Sequence, residues 1–171
     1  MNVRGWHSRY PGPQSVAPPR LIPELDVTDL RTSLDFYVTI VGFELIYDRP
    51  DERFAMLNLE GAYLMLEEAL GPGRRFRTAP LERPHGRGVN FQIQLSNVNA
   101  LYKKLVAADA QIVIRLEEQW YRSGEQELGN RQFVVADPDG FLLRFFSDLG
   151  SRPTDPANHA IACRHWLTLE S

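Results

Sequence analysis

Cysteine occurs once in the 171 residues, at Cys163, which excludes an intrachain disulfide and a thiolate metal site built from one chain. Histidine is nearly as scarce. His7, His85, His159 and His165 all lie in or beside segments rich in proline, glycine or polar residues, outside every expected strand. No apolar run approaches the length of a membrane span, and the N-terminal stretch lacks the continuous apolar core of a signal peptide, so a cytoplasmic protein without a membrane partner is expected. Positive charge is not in excess either. A net charge of −3 gives no electrostatic footprint for nucleic acid, and a cationic or neutral small molecule suits it better. What the chain does have is 43% apolar residues, enough for one good core or two small repeated ones.

The sharpest local signal is VADPDGFLLRFF, Val135 to Phe146. Pro138 fixes φ and Gly140 accepts a positive φ, so the chain reverses there and Phe141 to Phe146 reads as a strand. Successive strand side chains alternate, so Leu143 and Phe145 share one face while Leu142, Arg144 and Phe146 share the other. Taken alone, Arg144 reads as a solvated strand residue.

Residues 1–20 hold Pro11, Pro13, Pro18 and Pro19 without a sustained period, and read as an N-terminal arm containing Trp6 and Tyr10. Leu21 to Val27 reads as a strand, and Thr28 or Asp29 as the cap of a helix with an apolar stripe at Leu30, Leu34, Tyr37, Val38 and Val41. Gly42 closes that helix. Strands are expected at Phe43 to Tyr47, Phe54 to Leu59 and Ala62 to Glu68, with Glu60-Gly61 as a tight turn. The first module, 21–70, is therefore βαβββ. Residues 71–88 read as a linker with five arginines between Arg74 and Arg87, either a solvated loop or a basic lip over a binding site.

The pattern then restarts. Val89 to Leu95 alternates cleanly, and Ser96 or Asn97 caps a helix with Val98, Leu101, Tyr102, Leu105 and Val106 on one side. Gln111 to Leu116, a polar loop with Trp120 and Tyr121, Arg131 to Ala136 and the strand after Gly140 complete a second βαβββ module over 89–150. One offset relates Ile22 to Asn90, Leu25 to Ile93, Val27 to Leu95, Asp29 to Asn97 and Leu30 to Val98, which supports tandem repetition by register. Residues 151–171 form a tail in which Ile161, Trp166 and Leu167 suit a docking segment.

From about Leu21 to Gly150 the chain resembles the vicinal oxygen chelate superfamily, which contains glyoxalase I, extradiol dioxygenases and bleomycin-resistance proteins. The carriers are Asp29-Leu30, Ser33-Leu34 and Phe36-Tyr37, the Gly42-Phe43 helix exit, and Asp137-Pro138-Asp139-Gly140. The resemblance implies an α+β fold in which two tandem βαβββ modules curl a mixed sheet around a concave cleft, helices outside. It also implies four metal-ligand positions, occupied here by Ile22, Met65, Asn90 and Arg144. Isoleucine offers no donor, a thioether is too soft for Mg²⁺, Mn²⁺ or Fe²⁺, asparagine is weak, and a guanidinium repels a cation. No metal and no cofactor are therefore expected. This departure is most similar to the metal-free bleomycin-resistance branch, whose members sequester a cationic glycopeptide without turnover, commonly at the interface of a domain-swapped homodimer.

Alternation gives the cleft face: Ile22, Glu24 and Asp26; Phe54 and Met56; Tyr63, Met65 and Glu67; Asn90, Gln92 and Gln94; Arg144 and Phe146. Carboxylates on it can pair with ligand amines, carboxamides can read peptide groups, and aromatic faces can stack on heterocycles. Ligand-binding candidates are thus Glu24, Asp26, Phe54, Tyr63, Met65, Glu67, Asn90, Gln92 and Arg144, joined by Trp120 and Tyr121 as stacking plates or, equally, a lid packing the second module's edge. A water-filled face without ligand is the plainer alternative. Two other functions compete with sequestration: a metal-independent enzyme, lyase or isomerase, using Glu24 or Glu67 as general base, and a sensing module that works through the tails.

Overall fold

A computed structural model describes residues 19–74 and 76–154 of the chain. The expected features of most of the arm and of the tail, including Trp6, Tyr10, Ile161, Cys163, Trp166, Leu167 and three of the histidines, His7, His159 and His165, lie outside the described residues. The first module begins with β1 (Glu24–Val27), followed by helix α1 (Leu30–Leu34). Pro23 has no N–H to continue the ladder toward Leu21, so the strand is shorter than its apolar pattern suggests. The Asp29 carboxylate caps the helix by accepting the Thr32 N–H at 2.7 Å. Beyond Leu34 the helix widens into a π-helical segment, Asp35–Val41. Gly42 closes it at φ 106°, where the amides of Gly42 and Phe43 both donate to the Tyr37 carbonyl at 2.9 Å.

Three antiparallel strands follow: β2 (Glu44–Arg49), β3 (Phe54–Leu59) and β4 (Ala62–Glu68). Glu60 and Gly61 join the last two with φ of 47° and 92°, the pair of positive φ values that a two-residue hairpin matched to strand twist requires. The second module repeats this path as β5 (Asn90–Gln94), α2 (Val98–Ala107), β6 (Ile112–Ser123), β7 (Gln126–Ala136) and β8 (Leu142–Pro153). Asn97 occupies the cap position equivalent to Asp29 and accepts the Ala100 N–H at 3.1 Å.

Each module forms one four-stranded mixed sheet, in the orders β1-β4-β3-β2 and β5-β8-β7-β6, with the first and last strand of each module pairing in parallel. The same connectivity twice is the tandem repeat in three dimensions. Leu25, Val27, Leu57, Leu64 and Leu66 of the first sheet join Ile93, Phe133, Val135, Leu143 and Phe145 of the second in one buried cluster with Phe36, Tyr37, Val98, Leu101 and Leu105 of the helices. The apolar faces of both sheets thus share one core with the helices, and the polar faces point away from it.

The second sheet departs from the sequence pattern in the length of its strands. Trp120 and Tyr121 were expected in a polar loop; they lie on β6, paired with Gly129 and Leu128. β6 and β7 extend to a turn at Gly124, and β8 runs on through 151–153, the start of the expected tail. Beyond Leu116 this ribbon carries polar residues on both faces, so no period-2 apolar signal marks it; backbone pairing with neighbouring strands holds it instead.

The Asp-Pro-Asp-Gly turn between β7 and β8 ties the modules together. Asp137 caps its own turn, accepting the N–H groups of Asp139 and Phe141 at 3.0 and 2.8 Å, and takes the Tyr37 hydroxyl at 3.0 Å. The Asp139 carboxylate accepts the Thr28 N–H at 2.8 Å and the Arg83 guanidinium at 2.6 Å, thereby joining the α1 entry, the 71–88 segment and the second module. A Cβ at Gly140 would stand 2.5 Å from Pro84 Cβ, so only glycine lets this contact form.

Burial pushes the Asp139 carboxyl up, but the bonds from Thr28 and Arg83 outweigh it and hold the group below its ordinary value of 3.8. Asp137, buried with no cation against it, is raised, burial being the largest cause. Asp139 therefore contributes stability that is present above the ordinary carboxylate range and lost as pH falls through its depressed value; ionised Asp137 costs stability above its raised value. Asp139→Asn is expected to lower unfolding free energy by about 2 kcal/mol at pH 7, and Asp137→Asn by less. Urea midpoints followed from pH 7 to 3 should show Asp139→Asn losing part of the acid-side decline, which Asp137→Asn retains.

Candidate functional site

The two polar faces carry different chemistry. On the first, Glu24, Asp26, Phe54, Met65 and Glu67 come together as the sequence alternation requires. A cavity of about 200 Å³ is lined by Tyr47, Arg49, Phe54, Met65, Glu67 and their neighbours. At depth the face combines an aromatic ring with a carboxylate. Phe54 is 2% exposed and Glu67 5%, and the Arg49 guanidinium lies 3.7 Å above the Phe54 ring. Tyr63 stands beside Asn58 on the same face, half-buried and outside these cavities.

Segment 71–88, read from the sequence as a linker that is either a solvated loop or a basic lip, folds over this face. The Arg77 guanidinium donates to both carboxylate oxygens of Asp26 at 2.9 and 3.0 Å and to the Ala69 carbonyl at 2.6 Å. That bidentate bond holds the Arg77 charge more firmly than water would. Arg74 and Phe76 line the cavities above Glu24 and Glu67. The segment's far end is anchored by Arg83 and by His85, whose N–H donates to the Asp139 carbonyl at 2.8 Å and whose ring edges Phe141. Between these anchors lies a hollow of about 580 Å³ lined by Phe76, Leu81, Pro84 and Arg87 among others. Sequence reasoning did not name Arg77, Arg74 or Phe76 individually; their only signal was the cluster of arginines.

On the second face a cavity of about 390 Å³ is lined by Gln92, Gln94, Tyr121, Asn130, Arg144 and Phe146, together with Leu128 and Asp148. Arg144 sits between Gln92 on β5 and Val134 on β7 and donates to the Gln92 carboxamide oxygen. The buried Gln132 carboxamide positions Tyr121, donating to its hydroxyl at 2.7 Å and to Glu117 at 3.1 Å. Asn130 was absent from the sequence reading because the polar start of β7 was not recognised as strand, whereas Gln132 lay within the expected strand Arg131 to Ala136, whose faces were not assigned. Asn90, expected to bind, is exposed at the entry of β5 and lines none of these cavities.

Trp120 is the other exception. It alternates with Tyr121 on β6 and so faces away from the cavity, its ring over Gly129, where a Cβ would meet it at 2.7 Å. The Arg152 guanidinium lies over the Trp120 ring at 4.0 Å and is held by Glu127 at 2.7 Å. Tyr121 thus lines the cavity of the second face, and Trp120 lies in a packing contact.

The residues at the family's four metal positions do not fit a metal ion. Ile22 precedes β1, Met65 packs beside Phe54, Asn90 is exposed and Arg144 is cationic. Among the described residues no three His, Cys, Asp or Glu side chains converge to hold one, and His85 is occupied against Phe141 and the Asp26 carbonyl. Nor is any described helix long and apolar enough to cross a membrane.

With this geometry, the sequence matches the pattern of the Glyoxalase family, described as the Glyoxalase/Bleomycin resistance protein/Dioxygenase superfamily, over residues 23–145, and the chain belongs to that superfamily. It is similar to the bleomycin resistance proteins of Geobacillus stearothermophilus and Staphylococcus aureus, with 28% identity over 137 residues, covering 76% of this chain and 97% of the relatives. Among solved structures it is similar to TioX from Micromonospora sp. ML1 (25% identity, TM-score 0.56, 77% of this chain and 100% of that one). A protein of unknown function from Agrobacterium tumefaciens shares the fold at a TM-score of 0.58 and 23% identity, covering 79% of this chain and 98% of that one.

The lip is expected to open when its pin is removed. Arg77→Ala should raise amide hydrogen exchange across 76–82 while lowering global stability by no more than about 1 kcal/mol, because the anchors at Arg83 and His85 stay in place. Unchanged exchange would mean that packing, and not the Asp26 pair, holds the segment down.

Proposed function

We propose that this chain is a metal-free binding protein of bleomycin-resistance type that sequesters a cationic glycopeptide antibiotic or a similar metabolite without turnover. The observation that carries this reading is the replacement of all four family ligand positions by side chains unfit for a metal, on faces otherwise furnished with carboxylates, carboxamides and aromatic rings. Similarity to the bleomycin resistance proteins over nearly their full length supports it. On the first face a ligand ammonium or guanidinium takes the place that Arg77 holds on Asp26. On the second, Tyr121 and Phe146 stack against planar groups while Gln92 and Gln94 bond peptide-like groups.

The cavities of the two polar faces are lined by separate residues of the chain. We infer that the working unit is a homodimer, strand-swapped or simply apposed, in which the first face of one chain stands opposite the second face of its partner.

Calorimetric titration of a bleomycin-type glycopeptide into the protein should give saturable binding at one site per chain. Glu67→Gln and Tyr121→Ala are each expected to weaken it by roughly fivefold to tenfold, about 1 to 1.4 kcal/mol, and Trp120→Ala to leave it unchanged. Absence of binding heat and of any melting shift would sink the glycopeptide reading. Light scattering at the same concentration should give a dimer mass; a monomer binding with full affinity would exclude the shared cleft.

A further inference from the structure

We propose that the cavity on the second face is an anion subsite built for a carboxylate attached to a planar or aromatic group, with Arg144 as its recognition element. This deepens the binding role proposed above and rests on that reading of the second face as a ligand surface. The starting point is how this mid-strand arginine differs from the ion-paired ones. Arg49, Arg53, Arg77, Arg83, Arg131 and Arg152 each lie within ion-pair distance of a carboxylate. Arg144 has no carboxylate partner among the described residues. Its firm bond is to a neutral carboxamide, Gln92, its contact with the Tyr121 hydroxyl is long at 3.5 Å, and its Nε is buried without any partner.

A guanidinium left in this state retains both its charge and most of its donors for something not supplied by the chain. It is also held in place. Arg144 lies mid-strand, with Gln92 on one side and Val134 on the other in continuous ladders, so its backbone position is fixed before a ligand arrives. The cavity it faces, about 390 Å³, has room for a ring bearing one small acidic group.

The remaining lining agrees with that chemistry. Gln92 and Asn130 can donate to carboxylate oxygens, the Tyr121 ring lies 5.8 Å from the Arg144 guanidinium, and Phe146 offers an apolar surface to the ligand's ring. Asp148 is the one carboxylate of the lining. Its Oδ1 accepts the Gly150 N–H at 2.7 Å, and it forms no ion pair with Arg144, so it marks an edge of the subsite where a ligand's positive or hydrogen-bond-donating group fits. An arginine prefers a carboxylate over an isosteric amide because two parallel charge-assisted hydrogen bonds match its fork. A ligand of this chain therefore carries an acidic group as well as the basic one that suits Asp26.

The test uses benzoate and benzamide, isosteres that differ in charge, titrated into ¹⁵N-labelled full-length protein and followed by amide shifts. Benzoate is expected to give saturable shifts at Gln92, Tyr121 and Asn130. Benzamide should bind at least tenfold more weakly. Arg144→Gln should lower benzoate affinity at least tenfold, Arg144→Lys should fall between, and Arg115→Gln, on the exposed part of β6, should leave it unchanged, with melting temperatures reporting that each variant is folded.

Equal binding of the two probes, benzoate binding retained in Arg144→Gln, or shifts confined to other surfaces would overturn the subsite. The parallel glycopeptide titration separates this outcome from the proposed function. Glycopeptide binding without benzoate binding overturns the subsite alone. Arg144-dependent benzoate binding without glycopeptide binding supports the subsite and directs the search to other acidic ligands.

Discussion

The structure depends on one buried carboxylate more than on any other polar group. Asp139 is 2% exposed and receives donors from the entry of the first helix and from the segment between the modules, while its own turn belongs to the second module. Hydrogen bonds of this kind are directional where apolar contacts are not, so they fix the angle at which the two modules share a core. The Tyr37 hydroxyl on Asp137 adds a second constraint from the middle of the first helix, and burial followed by the nearby carboxylates pushes that phenol well above its ordinary range, keeping it a donor. The most recognisable tetrapeptide of the sequence is thus the joint of the molecule as well as a turn.

That joint determines what each polar face can do. By holding the apolar faces of both sheets against a common set of helices, it leaves two polar faces of different chemistry, one acidic and covered by an arginine-bearing segment, one with a guanidinium without a carboxylate partner among carboxamides. Chemical asymmetry between repeats is a common result of duplication in a fold whose scaffold tolerates many functions. Here the repeat conserves backbone register closely enough that Asp29 and Asn97 both cap helices, while the face residues have diverged from Glu24 and Asp26 to Gln92 and Gln94.

Much of this was legible in the sequence because alternation and capping are local. The strands Phe54–Leu59 and Ala62–Glu68, both helix starts and the assignment of Leu143 and Phe145 against Arg144 follow from side-chain direction and turn chemistry alone. Three features were not legible, each for a physical reason. The π-helical widening before Gly42 adds no residue type that breaks the apolar stripe of Leu34, Tyr37, Val38 and Val41, so the sequence pattern does not reveal it. The outer ribbon of β6, β7 and β8 is held by backbone pairing with polar residues on both faces, so hydropathy gives no period to read. Alternation reveals which residues share a face but not where two faces point; that information lies in contacts between positions as far apart as Tyr37 and Asp137.

The Arg77–Asp26 pair has a consequence for selectivity. A cation tethered by a short segment is present at an effective concentration on the order of millimolar, far above that of most dilute metabolites. Simple amines and inorganic cations meet an acidic group that is already neutralised and gain little by displacing its occupant. Only a molecule that brings a second, independent point of attachment wins the exchange. The first face is in this way insulated against the ordinary ionic background, and its discrimination comes from competition within the chain more than from the shape of the hollow.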